Sequence, residues 1–252
     1  MKKIFLLVLM GIMGITAAQA QFGDYGVRFG LGSATITDDL STKSPILGVN
    51  VGGYFNYTFQ HSPTALAEIF YLQSGINLIR RGNIFEEFYE QDNNLAFREG
   101  FHRAWYVQLP ILAGVHMELP VREVGHVVGF FLGPAVSYGI GGRYADRVIT
   151  PGHSSRSDNY DVNFSGTAED RKLFNHINRL DVSAIFGLSY EHGDITLSLF
   201  VDHGFTAVSV DEDVLQTIMN NMSGITTDTT IPDGNNNAVM LSLSYKLGSF
   251  MK

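Results

Sequence analysis

Seven charged side chains stand in segments where apolar residues recur at alternate positions: Arg28, Glu68, Arg179, Asp181, Glu191, Asp202 and Lys246. A strand sends successive side chains to opposite faces. A charge that opposes an apolar set therefore shares its face with the other polar residues. If these charges are enclosed in one lumen they must pair, because a buried charge left alone is costly. Two chemistries follow from such a network. It can act as a polar plug that stiffens a narrow barrel, or as a gated path for ions. Eight strands enclose a lumen that side chains just fill, which argues against a diffusion pore for solutes and favours the plug. Glu68 lies in a stretch whose facing the alternation leaves undecided.

Other chemistry has weaker support. The eight histidines are scattered singly, at His61, His102, His116, His126, His153, His176, His192 and His203. None lies in an H-E-x-x-H pattern, and no G-x-S-x-G elbow exists. His102, His153 and His176 could meet at an outer rim, but loops of this length hold such residues by composition alone. The reading is a protein without catalytic residues. Asp211-Glu212-Asp213 sits in a segment, 207–237, with five acids and no Lys or Arg. Oxygen ligands of this kind can hold Ca²⁺, but the spacing is not that of an EF-hand, and a solvated acidic loop is the preferred reading. Cysteine is absent, which excludes thiolate metal sites, disulfides and a lipid anchor on Cys. No metal and no cofactor is expected.

The elements that must position these residues are strands. Trp105, Val107, Leu109, Ile111, Ala113, Val115 and Met117 share one parity, opposite Tyr106, Gln108, Pro110, Leu112, Gly114 and His116. Val239, Leu241, Leu243, Tyr245 and Leu247 repeat the pattern against Met240, Ser242, Ser244 and Lys246. Similar alternation gives eight candidate strands, at about 25–33, 46–59, 66–80, 103–117, 127–142, 178–191, 195–206 and 238–248. Each reaches the roughly 9–11 residues that a tilted membrane-spanning strand needs. The face opposite the apolar one is rich in Gly, Ser, Asn and charge. Gly weakens an exposed strand, but in a narrow lumen it leaves room for Arg and Tyr.

The expected fold is therefore all-β: an eight-stranded antiparallel transmembrane β-barrel with long external loops. With the N-terminus in the periplasm, the external links fall at about 34–45, 81–102, 143–177 and 207–237. The periplasmic links fall at about 60–65, 118–126 and 192–194. Tyr54, Tyr57, Phe59, Trp105, Tyr106, Tyr138, Tyr190, Phe205 and Tyr245 lie near strand ends, where amphipathic rings form interfacial girdles.

The N-terminus sets the compartment. Lys2 and Lys3 precede an apolar run from Ile4 to Ile15, and Ala18-Gln19-Ala20 is a small-x-small cleavage site. This is the pattern of a secretory signal peptide over residues 1–20, leaving a barrel domain over 21–252. The apolar run is shorter than the ~20 residues of a spanning helix. Without Lys2 and Lys3, fifteen basic residues face 25 acidic ones, a formal charge of −10. Nucleic acid is therefore not expected as a partner, since it requires a basic stripe. The expected partners are outer-membrane lipid and a protein held at the external loops. The sequence leaves oligomeric state open.

By the fourth strand the sequence resembles a known family. Trp105-Tyr106-Val107-Gln108-Leu109-Pro110-Ile111-Leu112 is similar to the Y-x-E-I-P-L-L strand of the PorT-like outer-membrane β-barrel proteins. Gly133-Pro134-Ala135 through Gly139 is similar to their G-P-Y strand. Arg179-Leu180-Asp181-Val182 with Phe186 to Glu191 resembles their R-x-D-x-G-x-x-x-G-x-G strand. Glu68 to Gly75 resembles their E-L-x-Y-S-Q-x-G strand. Gln108 stands where that family often has Glu, and Ser183 where Gly is usual. The resemblance implies the barrel fold, an outer-membrane location and, through the family name, a role in a dedicated protein-secretion pathway. Four functions stay open: a structural or partner-binding barrel, a secretion accessory, a small gated channel and a rim enzyme. The first is the leading expectation.

Overall fold

The computed structural model describes residues 22–37, 42–58, 70–91, 94–119, 125–150, 153–156, 160–162, 179–207 and 234–251. The strands are β1 (Phe22–Thr37), β2 (Thr42–Thr58), β3 (Phe70–Gln91), β4 (Asn94–Glu118) and β5 (His126–Thr150). They continue as β6 (His153–Arg156), β7 (Tyr160–Asp161), β8 (Leu180–His192), β9 (Ile195–Ala207) and β10 (Asn235–Met251). Eight of them close a ring of antiparallel pairs, in the order β1, β2, β3, β4, β5, β8, β9, β10 and back to β1. The short β6 and β7 pair with the far end of β5. The closing seam runs from Phe22↔Met251 to Thr37↔Asn235. Closure matters because an open edge would leave backbone donors and acceptors unpaired in hydrocarbon.

The alternation in the sequence becomes the two faces of the wall. Leu241 and Leu243 are exposed while Ser242 and Ser244 are buried. Phe186 and Leu188 point out while Ile185 and Gly187 point in. Val27, Phe29 and Leu31 face outward on β1, beside Val51 and Phe55 on β2. These apolar side chains form the band that meets lipid. The undecided strand also acquires a facing. Tyr71, Gln73, Asn77, Ile79, Arg81, Asn83 and Phe85 turn inward, and Phe70, Ile76, Leu78 and Ile84 turn outward. Both faces mix apolar and polar residues, which is why its alternation is hard to read.

Three expected external links are shorter than their sequence suggests. The segment 81–102 is not a loop: β3 and β4 stay paired from Phe70↔Val115 to Gln91↔Asn94. Gly82 helps this ladder pass a tight place. Its φ is +150°, and a Cβ there would meet the backbone oxygen of His102. The link 143–177 also gives way, since β5 runs to Thr150 and pairs with β6 and β7. Likewise β1 and β2 take up most of 34–45. At the end that carries the chain termini, the β8–β9 turn is tight, with Gly193 at φ +61°.

The interior is filled in layers. Along β4, Ala104 and Tyr106 belong to one apolar cluster with Ile36, Ile79, Phe85, Tyr144 and Val162. Next along β4 comes buried Gln108, and then Leu112 in a second apolar cluster with Tyr71, Phe131, Ile185, Phe200 and Met240. His116 then faces a polar space near the termini. Along β4, from Ala104 toward the termini, the inward order is apolar, polar, apolar, polar.

Candidate functional site

The upper polar layer is built around a side chain that the sequence reading assigned to a loop. Arg81 reaches across the lumen from β3 and is 2% exposed. Its Nη1 donates to Asp181 on β8, and its Nη2 donates to Asp202 on β9. Gln108 Nε2 on β4 donates to the same Asp202 oxygen at 2.8 Å. Asn236 Nδ2 on β10 donates to Asp181 at 3.2 Å. Tyr106 lies beneath the guanidinium, which is 5.7 Å from its ring centroid. One planar cation thus ties three strands of the ring together, with amides from two more. Arg suits this task because its fork presents several donors in fixed directions.

The lower polar layer is built on Arg28, which is also buried. Its Nη2 donates to Gln73 Oε1 at 2.7 Å and its Nε to Ser244 Oγ at 3.2 Å. Gln73 in turn donates to Asn56 Oδ1 at 2.7 Å. A narrow cavity lies beside them, lined also by Tyr54, Tyr71 and Glu191. It has room for about one or two water molecules. Lys246 stands near the rim of this end, 3.6 Å from Asp194 in the β8–β9 turn.

Five of the seven expected charges can thus be followed inside or near the lumen: Arg28, Asp181, Asp202, Glu191 and Lys246. They do not form one network. Asp181 and Asp202 share Arg81 in the upper layer, and the apolar cluster of Phe131 and Phe200 separates them from Arg28. Arg179 is a correction. It is exposed, and its Nη1 donates to Tyr138 Oη at 3.1 Å on the outer wall. The physical reason is that β8 starts at Leu180, so Arg179 sits on a bend and strand parity does not reach it. Glu68 lies outside the described residues, as does Asp211-Glu212-Asp213. Among the described residues no group of three or more His, Cys, Asp or Glu is gathered where a metal could be held.

Arg81 was missed for a readable reason. Its alternation partners Ile79, Asn83 and Phe85 continue the inward face, but the adjacent Arg80, Gly82 and the acids beyond resemble a loop. The signal that could find it is charge balance, since Asp181 and Asp202 on neighbouring strands require a cation between them.

The aromatic girdle also needs correction. Tyr54 and Tyr106 are buried inside, 5% and 0% exposed. The outer wall carries two belts instead. Tyr25, Phe55, Tyr190 and Tyr245 lie toward the termini, and Trp105, Tyr138 and Phe205 toward the far end. Apolar side chains fill the band between them, as expected at the two interfaces of a bilayer.

The profile of the outer membrane protein beta-barrel domain matches residues 17–209. The chain belongs to that family. Its place is the outer membrane. Among solved structures it is similar to Ail, the attachment invasion locus protein of Yersinia pestis, solved in complex with the heparin analogue sucrose octasulfate. That match has 10% identity over 90% of this chain and 99% of Ail, with a TM-score of 0.38. It is also similar to the translocator domain of the autotransporter NalP from Neisseria meningitidis. There the identity is 8% over 97% of this chain and 96% of that one, with a TM-score of 0.30. Comparison with curated proteins finds no match.

Proposed function

We propose that this outer-membrane barrel is non-enzymatic, that its lumen is a fixed plug, and that it binds a partner through its far end. The observation that carries this reading is the layered interior. Among the described residues the Arg81 cluster lies between two apolar clusters that interrupt the polar lining a solute would follow. What remains for function is the far end, where β3, β4 and β5 run well past the aromatic belt. In this reading the termini end faces the periplasm and the far end faces outward. Residues 1–20 act as a cleaved leader, so the N-terminal residue of the protein recovered from outer membranes is expected to be Gln21. Reconstitution into planar bilayers tests the plug. The wild-type barrel is expected to insulate. Current steps that change with Asp181→Asn would replace the plug by a gated path.

A second reading is an accessory role in protein secretion. It is supported by the order of the PorT-like motifs at Glu68–Gly75, Trp105–Leu112, Gly133–Gly139 and Arg179–Glu191. Its test is a clean deletion with quantitative comparison of released proteins. Specific cargo trapped in the periplasm would favour secretion, and an unchanged released set would remove it.

A further inference from the structure

The outer wall carries a cluster that the plug does not use. Arg103 of β4 and Arg143 of β5 stand directly opposite each other in the antiparallel register. Both side chains are exposed. Like charges directly opposed across a sheet destabilise it, so an anion at this point would relieve the pair. Gly82 is the neighbour of Arg103 on β3 and leaves that flank open. One pleat closer to the lipid band, Arg80 of β3 is paired with Trp105 of β4, its guanidinium 5.7 Å from the ring centroid. Arg80 Nε and Nη2 donate to the Leu47 carbonyl at 3.1 and 2.8 Å. Those bonds fix its position but do not neutralise its charge. The register sets one acid beside this group, Asp161 next to Arg143. Among the described residues the register therefore sets three arginines against one acid over two pleats. Arg147, further along β5, differs because Glu99 lies 3.6 Å from it.

Depth gives the cluster its partner. Trp105 and Tyr138 mark the aromatic belt at this end, and below them Leu78 and Leu109 face lipid. The arginines stand at and just beyond that belt, at headgroup level. Neighbouring strands lie about 4.8 Å apart, so the patch across β3, β4 and β5 spans about 10 Å. That width suits a headgroup with two phosphates better than one with a single phosphate. Guanidinium groups bind phosphate oxygens in bidentate fashion. We propose that Arg80, Arg103 and Arg143 form a binding site for the phosphates of a bis-phosphorylated glycolipid in the outer leaflet. This inference rests on the orientation proposed above.

The test uses the folded barrel in detergent, with bound lipid counted by native mass spectrometry. The probes are bis-phosphorylated lipid A, its dephosphorylated form, and phosphatidylglycerol. Lipid A is expected to be retained. Each basic side chain near an anionic surface contributes about fivefold, so R103Q/R143Q is expected to weaken binding about 25-fold. R147Q, which removes an arginine already paired, is expected to leave binding unchanged. If the double variant does not fold, R103Q alone should weaken binding about fivefold. Equal retention of dephosphorylated lipid, or of lipid A by the folded arginine variant, would overturn the site. Equal retention of phosphatidylglycerol would overturn the glycolipid assignment. Orientation is read separately on intact cells with Asn94→Cys and a membrane-impermeant maleimide. Labelling only after permeabilisation would overturn the outer-leaflet placement whatever the titration gives.

Discussion

Arg81 comes from β3, and its two carboxylate partners come from β8 and β9 on the other side of the lumen. All three side chains are almost fully buried. Breaking such a cluster by removing one member leaves uncompensated charge and costs about 3–5 kcal/mol, whereas replacing all members together is often nearly neutral. Arg81→Met is therefore expected to lower the stability of the folded barrel by about 3–5 kcal/mol in denaturant unfolding. The triple variant R81M/D181N/D202N should recover most of that loss. A single variant as stable as wild type would mean that Arg81 does not hold the layer together. Arg28 differs in kind, because its partners Gln73 and Ser244 are neutral.

At the scale of elements, β3 and β4 are unusual for their length, 22 and 25 residues. A spanning strand needs only roughly 9–11. The surplus continues as paired sheet on the order of 30 Å beyond the lipid band. The hairpin keeps its register because inward positions such as Phe85 still find apolar company, stacked on Tyr144 with ring centroids 5.7 Å apart. The ring below does not depend on this extension. Replacing 84–101 by an Asn-Gly turn, which suits a two-residue hairpin, should leave a barrel that closes and keeps its fast unheated mobility on a gel. The same variant should lose the binding of a surface partner. A shortened protein that fails to fold would show that the extension is part of the barrel's own stability. One that keeps its partner would move the binding site to the other far-end segments.

For the whole molecule, the interior layers and the outer belts do separate work. The belts and the band between them set depth in the membrane. In the proposed reading the layers keep the lumen from acting as a channel. Two of the layers are apolar, so the polar pins are not the seal. R81A/D181A/D202A, if it folds, is expected to stay insulating in planar bilayers, because Tyr71, Leu112, Phe131 and Phe200 still close the lumen below. Sustained conductance in that variant would mean that the charged cluster alone blocks the path. On the termini side, Gln73, Ser198 and Ser244 line a narrow polar cavity.

The sequence by itself determined the barrel, its strand count and the facing of most strands. Period two is a local property: Leu241 and Leu243 against Ser242 and Ser244 record which side meets lipid, whatever the neighbours are. It also placed Arg28, Asp181 and Asp202 on the lumen side. Only the tertiary structure decided who pairs with whom, because a ring brings β3 against β8 and β9 across a lumen that no spacing along the chain encodes. Charge balance asks for a cation near Asp181 and Asp202, but only the continuation of β3 through Gly82 makes it Arg81, and Arg179 leaves the lumen because β8 starts at Leu180, two residues after the expected start. The opposition of Arg103 and Arg143 is likewise a matter of register. A bulge at Trp105/Tyr106 shifts β5 against β4, and that shift sets the two arginines side by side.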